Sequence, residues 1–433
     1  MTSKILVDVG PRENRVALVE DNELVELYIE RLVGDRLVGN IYRGKVCSVL
    51  QGMQAAFIDI GYERNAFLYV ADAIPENENE KDKLIKRKGN KLAINDILKP
   101  GQEITVQVVK ESIDNKGPRL TTHLTLPGRY LVLLPYADYT GVSRRIEDEE
   151  ERKRLKHIIE KIKPEGMGII ARTAAEGKDE YEFVNDLNFL KKLWHTISQR
   201  EQKGNVPRCI YTDLDLVSRT VRDMFTADIG RFIINDLKTA QKVMDLLDII
   251  SPSLKSRVEY FDKGYGLFDY YGIGTEILRA LSKKVWLKCG GYLIIEATEA
   301  LTVIDVNTGK YVGGKNLEET VVRTNLEAAA EIARQLRLRD IGGIIIIDFI
   351  DMYEQEHQQL VINELKKALK KDRTKTAVIG LTGLGLVEMT RKKVRQPLDS
   401  IMYTDCPNCH GTGKILNESQ MQIKEIDSNP LVC

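Results

Sequence analysis

Residues 301–314 read LTVIDVNTGKYVGG and residues 341–351 read IGGIIIIDFID, and the C-terminal part of the chain is expected to fold around these two stretches. Their apolar runs, Leu301–Ile304 and Ile344–Ile347, are short, rich in β-branched residues and bounded by glycines or polar residues. That pattern predicts two buried strands. The amphipathic sequence between them predicts a long helix over about Leu317–Leu338.

Each predicted strand is followed by a carboxylate, Asp305 after the first and Asp348 after the second. Neighbouring strands lie about 4.8 Å apart, so adjacent strands would hold both carboxylates within reach of one small cation. Asn307 is expected on the same side of the extended chain as Asp305. Such oxygen donors, with no nearby cysteine and no HxxxH pattern, favour magnesium or manganese over zinc. The alternative is that both aspartates are only turn or helix-cap residues.

The length and charge of the chain bound its class. A chain of 433 residues is too long for one core and predicts two to four domains. Its 64 basic and 64 acidic residues cancel, so only local clusters could favour nucleic-acid binding. No apolar run approaches the roughly 20 residues that span a bilayer, and the N-terminus lacks a signal-peptide core. We therefore expect a cytoplasmic protein without a membrane span.

The N-terminal third is rich in strand patterns. Residues 1–35 alternate apolar and polar side chains, which predicts an antiparallel meander with turns near Gly10–Pro11 and Asp21–Asn22. This segment is too small to stand alone and should pair with a later part of the chain. Residues 36–122 carry short, glycine-punctuated strands, as in a small barrel of the OB type.

Aromatic and basic residues are interleaved along the predicted barrel. They are Tyr42, Phe57, Phe67, Tyr69, Lys110, Lys116 and Arg119. Single-stranded nucleic acid requires flat faces for its bases and cations for its phosphates. Any single ring is better explained as core, but Phe57 and Phe67 together with the lysines favour a surface that binds single-stranded nucleic acid.

Residues 123–217 mix strands and helices, and residues 218–281 alternate them again. A strand in the first of these segments ends at Arg172 and Thr173. An arginine and a hydroxyl beside small residues could form a phosphate pocket. The alternative is a surface arginine paired with a carboxylate.

Cys406 and Cys409 form a CxxC turn near the C-terminus. A structural zinc ion needs four ligands, and the chain has no second CxxC. Three explanations stay open: a redox pair, a zinc site completed by His410 and one further residue, or a zinc site shared between two chains. A redox pair is expected at the start of a helix in a βαβ unit, which this context does not resemble.

Seven motifs together resemble the bacterial ribonuclease E/G family of endoribonucleases, in the family's order and across nearly the whole chain. They are VGNIYRGKV (38–46), QAAFIDIGYERNAFL (54–68), LTTHLTLPGRYLVLLP (120–135), ARTAAEGK (171–178), IDVNTG (304–309), IIIIDFIDM (344–352) and CPNCHGTG (406–413). The compact length is more similar to the G type than to the E type.

The resemblance implies an α+β multidomain fold. An RNase H-like subdomain, formed by residues 1–35 and 218–281, would be split by an OB-fold RNA-binding barrel (36–122) and a 5′-end sensor subdomain (123–217). A deoxyribonuclease I-like catalytic subdomain (282–402), a CxxC zinc link (403–417) and a tail (418–433) would follow.

The resemblance also implies roles for particular residues. Asp305 and Asp348 would be magnesium ligands, and Asn307 would assist at the scissile phosphate. Cys406 and Cys409 would bind zinc jointly with the same pair of a second protomer, which gives a homodimer and leaves open whether dimers pair into tetramers.

The remaining implied residues bind RNA. Phe57, Phe67 and Lys116 match the RNA-contacting positions of the family. Its 5′-monophosphate pocket maps onto Gly128, Val132, Arg172, Thr173 and Lys375, where a family arginine is replaced by lysine. Lysine lacks the bidentate fork of arginine, so we expect a weaker preference for a 5′-monophosphate.

The function implied is magnesium-dependent hydrolysis of single-stranded RNA, in rRNA processing and mRNA decay. The five histidines offer no obvious pair beside the carboxylates, which argues against attack by the ribose 2′-hydroxyl. Hydrolysis by water predicts products with 5′-phosphate and 3′-hydroxyl ends. The alternatives are a non-catalytic RNA-binding regulator and a DNA nuclease, the latter resting on fold analogy alone.

Overall fold

The computed structural model describes residues 3–32, 36–74, 92–111, 117–309, 317–404, 406–409 and 413. Predictions on Lys116, His410 and the tail lie outside the described residues. The chain divides into two compact units, which we describe separately. The first unit comprises Met1–Glu23 and Leu27–Tyr271, and the second comprises Leu24–Glu26 and Gly272–Cys433, so far as these ranges are described.

The described residues contain 21 strands, numbered β1 to β21 in chain order. They are Ser3–Val9, Glu13–Glu20, Glu23–Arg31, Ile41–Leu50, Ala55–Asp59, Ala66–Tyr69, Glu103–Lys110, Arg119–Thr121, Leu126–Pro127, Leu131–Leu134, Thr140–Val142, Gly168–Ala171, Arg208–Tyr211, Ile229–Ile234, Val258–Tyr260, Lys284–Trp286, Tyr292–Ala297, Leu301–Asn307, Gly343–Asp348, Thr376–Leu381 and Val387–Arg391.

The same residues contain 11 α-helices, numbered α1 to α11. They are Val70–Ala73, Ile94–Ile97, Glu149–Ile162, Glu180–Glu201, Leu216–Asp223, Leu237–Ile250, Leu267–Tyr270, Ile273–Leu281, Leu317–Leu338, Gln355–Leu369 and Leu398–Met402. None of these helices is long and apolar enough to cross a membrane.

The predicted N-terminal meander is confirmed. Strands β1, β2 and β3 are sequential neighbours in one sheet, and the turn between β2 and β3 is formed by Asp21 and Asn22. Both residues have a positive φ, which Asp and Asn tolerate in tight hairpin turns. The later segment that completes the sheet is β14, which pairs with β1 in parallel. The sheet order is β15-β14-β1-β2-β3.

The predicted small barrel is also confirmed. Strands β4, β5, β6, β8 and β7 follow one another, and pairing of β4 with β7 closes the ring. Its interior is apolar and includes Val46, Ile58, Leu68 and Val106. One difference from the sequence prediction is β13, which comes from the range assigned to the sensor but pairs with β4.

Residues 126–201 build a four-stranded sheet of order β11-β12-β10-β9 against α3 and α4. Helix α3 places Leu155 and Ile159 on one buried stripe, four residues apart. Asp148 caps its first turn by accepting hydrogen bonds from the N–H groups of Glu150 and Glu151. The turn between β9 and β10, which contains Gly128, joins two neighbouring strands of this sheet.

The second unit is built on a six-stranded sheet of order β16-β17-β18-β19-β21-β20. The strands predicted from Leu301–Ile304 and Ile344–Ile347 are confirmed as β18 and β19, but only one face of each is buried, because Val303 and Ile344 are exposed on the other face. Strands β17 and β18 form an antiparallel hairpin, and α9 covers the predicted range Leu317–Leu338. A helical crossover of this length allows β18 and β19 to run parallel. One face of the sheet packs on α9 and α10 through Ile304, Ile345 and Ile347, all fully buried. Burial of each such side chain contributes about 1.5–3 kcal/mol.

Candidate active site

Asp305 and Asp348 lie side by side on neighbouring strands. In the parallel pairing of β18 with β19, Ile304 is opposite Ile347 and Asp305 is opposite Asp348. Residues directly opposite each other point to the same face of a sheet. The register therefore brings the two predicted metal ligands together.

The two carboxylates are on the open face of the sheet. Their strand neighbours Ile304, Val306 and Ile347 point to the helix-covered face and are buried, whereas Asp305 is half-buried and Asp348 exposed. Alternation along a strand explains the difference, since successive side chains point to opposite faces. The packing of the apolar residues thus fixes the aspartates where solvent, a cation and a substrate can reach them.

Asn307 orients Asp305. Its Nδ2 donates a hydrogen bond to Asp305 Oδ2 at 2.6 Å, as expected for residues two apart on an extended strand. Because the amide nitrogen of Asn307 makes this hydrogen bond, the amide oxygen takes no part in it and points away from it. Asn307 therefore supplies both a fixed orientation for the carboxylate and a neutral oxygen beside it.

Negative charge accumulates at this edge of the sheet. Partial burial raises the pKa of Asp348, and the nearby charges of Asp305 and Asp351 raise this pKa further. Like charges disfavour ionisation of a carboxyl group and thereby raise its pKa. A divalent cation would relieve this repulsion, and oxygen donors suit a hard ion such as magnesium. The donor set therefore fits the predicted metal.

Two residues of this site were not predicted from the sequence. Asp351, three residues after Asp348, adds a third carboxylate. Asn325, fully buried on α9, holds the segment between Asp348 and Asp351: it accepts from the N–H of Ile350 at 3.1 Å and donates to its carbonyl at 2.8 Å. A polar residue on the apolar stripe of the predicted helix was the available signal.

A different group of three possible metal ligands occurs near the helix starts of the same unit. Glu318, Glu354 and His357 place one ligand atom each within 4.8 Å of one another. His357 Nδ1 lies 3.1 Å from Glu318 and Nε2 lies 3.6 Å from Glu354. We interpret the His357 imidazole, which lies between the two carboxylates, as a link between the starts of α9 and α10. The group is nevertheless a second possible metal site, and an experiment that locates a bound ion should distinguish it from Asp305 and Asp348.

The barrel presents aromatic rings on its outer surface, among them the two predicted. Phe57 is opposite Phe67, and their ring centroids are 5.6 Å apart in an edge-to-face arrangement. Tyr69 continues the row, with its ring centroid 4.3 Å from that of Phe67. Both phenylalanines are half-buried, whereas Tyr42 is part of the core.

Cations flank this row of rings. Exposed Lys110 is opposite Arg119 on the neighbouring strand, and Arg119 is itself beside Phe67 in the sheet. The Arg119 guanidinium lies 5.0 Å from the Tyr69 ring centroid and pairs with Asp72 at 2.7 Å. The surface combines flat rings with positive charge, which suits single-stranded nucleic acid.

Four of the predicted 5′-phosphate residues lie on adjoining elements. Val132 is opposite Ile170, and Arg172 and Thr173 follow directly after β12. The Arg172 guanidinium donates to the carbonyl oxygen of Gly128. Lys375, the fifth residue, is exposed and belongs to the second unit.

The positive charge of Arg172 is already partly neutralised by a carboxylate. Its guanidinium pairs with Asp223 at 2.7 Å. Burial would raise the pKa of Asp223, but the hydrogen bond from Arg222 and the charges of Arg172 and Arg222 outweigh burial and lower this pKa. Thr173 Oγ1 lies 3.0 Å from Ser143 Oγ. A phosphate bound here would have to share the arginine with an existing carboxylate.

Gly128 has a structural role of its own. A Cβ at this position would lie 2.5 Å from a carboxylate oxygen of Asp186, too close for any side chain. Asp186 accepts hydrogen bonds from the N–H groups of Arg129, Tyr130 and Leu131 at 2.8–3.0 Å. Burial raises the pKa of Asp186 even so. The glycine allows this carboxylate to hold the turn.

Cys406 is exposed, and hydrogen bonds from the backbone of Cys409 and Asn408, together with the Cys409 side chain, lower its pKa. A lowered pKa favours the thiolate, the form that binds zinc or attacks a disulfide. The turn is therefore compatible with both the zinc and the redox explanations.

The sequence is similar to known ribonucleases over almost its full length. Residues 125–394, more than half of the chain, match the family model "Ribonuclease E/G family". Ribonuclease G of Escherichia coli strain K12 is 44% identical over 418 residues, which cover 96% of this chain and 85% of the relative. Ribonuclease G of Haemophilus influenzae is 46% identical over 415 residues, with 95% and 84% covered. Ribonuclease E of a Nostoc species is 41% identical over 409 residues, with 94% of this chain and 58% of the relative covered. The chain belongs to the ribonuclease E/G family.

Proposed function

We propose that the protein is a magnesium-dependent endoribonuclease of the cytoplasm that hydrolyses single-stranded RNA to 5′-phosphate and 3′-hydroxyl ends. Family membership supports the class of reaction. The observation that carries the site is the register that sets Asp305 directly opposite Asp348 on the open face of a sheet. We further propose that it acts in rRNA processing and mRNA decay.

Asp305 and Asp348 would hold the magnesium ion. When bound, the ion would lower the pKa of a water and stabilise negative charge on the phosphate. The protein's own part is positioning: Asn307 fixes the carboxylate of Asp305, and Asn325 fixes the backbone that follows Asp348. The carboxylate of Asp351 adds negative charge near Asp348, and this charge would favour the binding of a cation.

The barrel would hold the RNA strand. Phe57 and Phe67 offer ring faces on which bases can stack, and Lys110 offers a cation for a phosphate. Stacking on an aromatic ring contributes about 1–3 kcal/mol per base and tolerates any sequence. This surface supports the assignment of single-stranded RNA as substrate.

A 5′-monophosphate would bind at Arg172 and Thr173, beside Gly128 and Val132. Because Arg172 is already paired with Asp223, the gain from binding a phosphate is smaller than for an unpaired arginine. This supports a modest preference for a 5′-monophosphate. The contribution of Lys375 stays a prediction from the sequence.

Cys406 and Cys409 would bind zinc together with the same pair of a second copy, which gives a homodimer. The hydrogen bonds that lower the pKa of Cys406 prepare a thiolate for the ion. Two such pairs supply the four ligands that a structural zinc site needs. Further pairing of dimers into tetramers is compatible with this arrangement.

The test uses one defined RNA, bearing either a 5′-monophosphate or a 5′-triphosphate, with and without magnesium. We expect cleavage only with magnesium, faster for the monophosphate, and products with 5′-phosphate and 3′-hydroxyl ends. Asp305→Asn should still bind the RNA but not cleave it. Products ending in a 2′,3′-cyclic phosphate would refute hydrolysis by water, and a parent protein that binds without cleaving would be an RNA-binding regulator.

A further inference from the structure

An aromatic cluster with a cation lies on the edge of the catalytic sheet. It consists of Lys284 and Trp286 on β16 and Tyr292 on β17, and we call it the Trp286 platform. The centroids of the Trp286 and Tyr292 rings are 5.4 Å apart. Lys284 Nζ lies 4.0 Å from the Trp286 ring centroid and 3.6 Å from the Tyr292 ring centroid.

The platform shares the open face with the carboxylates. Trp286 is opposite Tyr292, and Tyr292 is opposite Asn307. Lys284 is opposite Ile294, which is opposite Asp305. Opposed residues point to the same face, so both rows continue to the candidate metal site. Two strand spacings separate Lys284 from Asp305, which is about 10 Å.

Trp286 is not packed as a core residue. Its exposed fraction is 59%, although tryptophan is highly buried on average in folded proteins. Within the part of the chain that the structure describes, no carboxylate pairs with the Lys284 ammonium, which instead lies against the two rings. An exposed indole beside an unneutralised cation combines the two features that bind single-stranded nucleic acid.

We propose that Trp286 stacks on a base close to the cleaved phosphate and that Lys284 contacts a phosphate of the same strand. The inference rests on the proposed ribonuclease function and adds a base-binding position within the catalytic unit. Tyr292 is the positioning residue, because its ring supports both Trp286 and Lys284. The platform would fix the strand beside Asp305 without reading its sequence, since every base has a stacking face.

The experiment measures cleavage by Trp286→Ala and Trp286→Phe, with Tyr265→Ala as the control. Tyr265 is an aromatic residue of the first unit with 74% of its surface exposed. We expect Trp286→Ala to raise the KM for RNA about tenfold, within the range of one lost stacking contact. Trp286→Phe should recover most of the affinity, and Tyr265→Ala should match the parent.

A series of RNAs, each with one abasic nucleotide, identifies the stacked base. The parent should lose affinity strongly at one position near the cleaved bond. Trp286→Ala should lose nothing further at that position, because the contact is already absent, while abasic positions elsewhere affect both proteins equally. An abasic penalty that is the same in the parent and in Trp286→Ala would overturn the proposal.

Two binding measurements do not depend on cleavage. The chain has two tryptophans, so Trp194→Phe leaves Trp286 as the only one, and its fluorescence should be quenched when RNA is added in EDTA. Lys284→Gln should reduce the salt dependence of RNA binding by about 0.7 in the slope of log K against log salt, the value for one phosphate contact on a single strand.

The possible failures are distinguishable. A parent protein that cleaves no RNA would remove the proposed function itself. A parent that cleaves, with an unchanged KM in Trp286→Ala, refutes only the platform. If Trp286→Ala changes the oligomeric state and leaves RNA binding intact, the platform contacts a second copy of the chain and the proposal is wrong.

Discussion

Replacing Asp348 by asparagine should make the metal-free protein more stable while it greatly slows cleavage. Two unit charges at the strand spacing of about 4.8 Å repel by about 0.9 kcal/mol in a water-like dielectric. Asp348 is exposed, so salt screens part of this repulsion. Because asparagine keeps the shape and removes the charge, we expect Asp348→Asn to raise the free energy of unfolding by roughly 0.5–1 kcal/mol in EDTA.

Magnesium should reverse that order. A ligand at about 100 times its Kd stabilises the folded state by about 2.7 kcal/mol. The parent should gain this amount, whereas Asp348→Asn lacks one of the two carboxylate ligands and should gain little. With magnesium the parent is therefore expected to be the more stable protein by roughly 2 kcal/mol.

The assay is thermal unfolding with and without magnesium, together with cleavage of one labelled RNA. Loss of several kcal/mol of transition-state stabilisation predicts cleavage slower by about 100-fold or more. Glu299→Gln is the matched control, since it removes an exposed carboxylate from the turn at the opposite end of β18. It should respond to magnesium as the parent does. If Asp348→Asn is destabilised in EDTA, or if magnesium stabilises it as much as the parent, then Asp348 neither repels Asp305 nor binds the ion with it.

Three further predictions concern other parts of the chain. Asn325→Ala leaves the N–H and carbonyl groups of Ile350 without their buried partner, so the free energy of unfolding should fall by about 2–4 kcal/mol, and an unchanged melting temperature would show that other contacts hold this segment. Asp236 caps α6 by accepting from the Thr239 N–H at 2.7 Å, and hydrogen bonds from the Thr239 backbone and hydroxyl lower its pKa. Asp236→Ala should therefore cost about 1 kcal/mol at pH 7. The folded-state pKa of Asp236 is below the unfolded value of about 3.9. The difference in free energy of unfolding between the parent and Asp236→Ala is therefore complete above about pH 3.9 and should disappear as the pH falls through the folded-state pKa. A difference that persists in acid would contradict the capping role. Cys406→Ser should release zinc and leave a monomer by light scattering, and a full-sized dimer without zinc would exclude the shared site.

Local sequence patterns predicted the elements of the catalytic unit well. The isoleucine run at 344–347 forms a strand as predicted, although only one face of it is buried and Ile344 is exposed. The helix over Leu317–Leu338 has the predicted bounds. Each of these elements follows from the pattern of apolar residues within a short stretch of sequence. The aspartates after the strands were visible for the same reason.

Long-range relations were not predictable in this way. That Asp305 is opposite Asp348, rather than shifted by two residues, depends on how α9 packs across the sheet. The pairing of β13 with β4 joins segments more than 150 residues apart. The ion pair of Arg172 with Asp223 also depends on tertiary packing. No local pattern encodes such contacts, and Asn325 was missed because its partner, Ile350, lies on a different element.

The most direct measurement is the position of a bound divalent ion, located by anomalous scattering from crystals soaked in manganese. We expect one strong peak within coordination distance of both Asp305 and Asp348, and its loss in Asp305→Asn. A peak only at Glu318, Glu354 and His357, or none beside the paired aspartates, would contradict the assignment of these residues as the metal site.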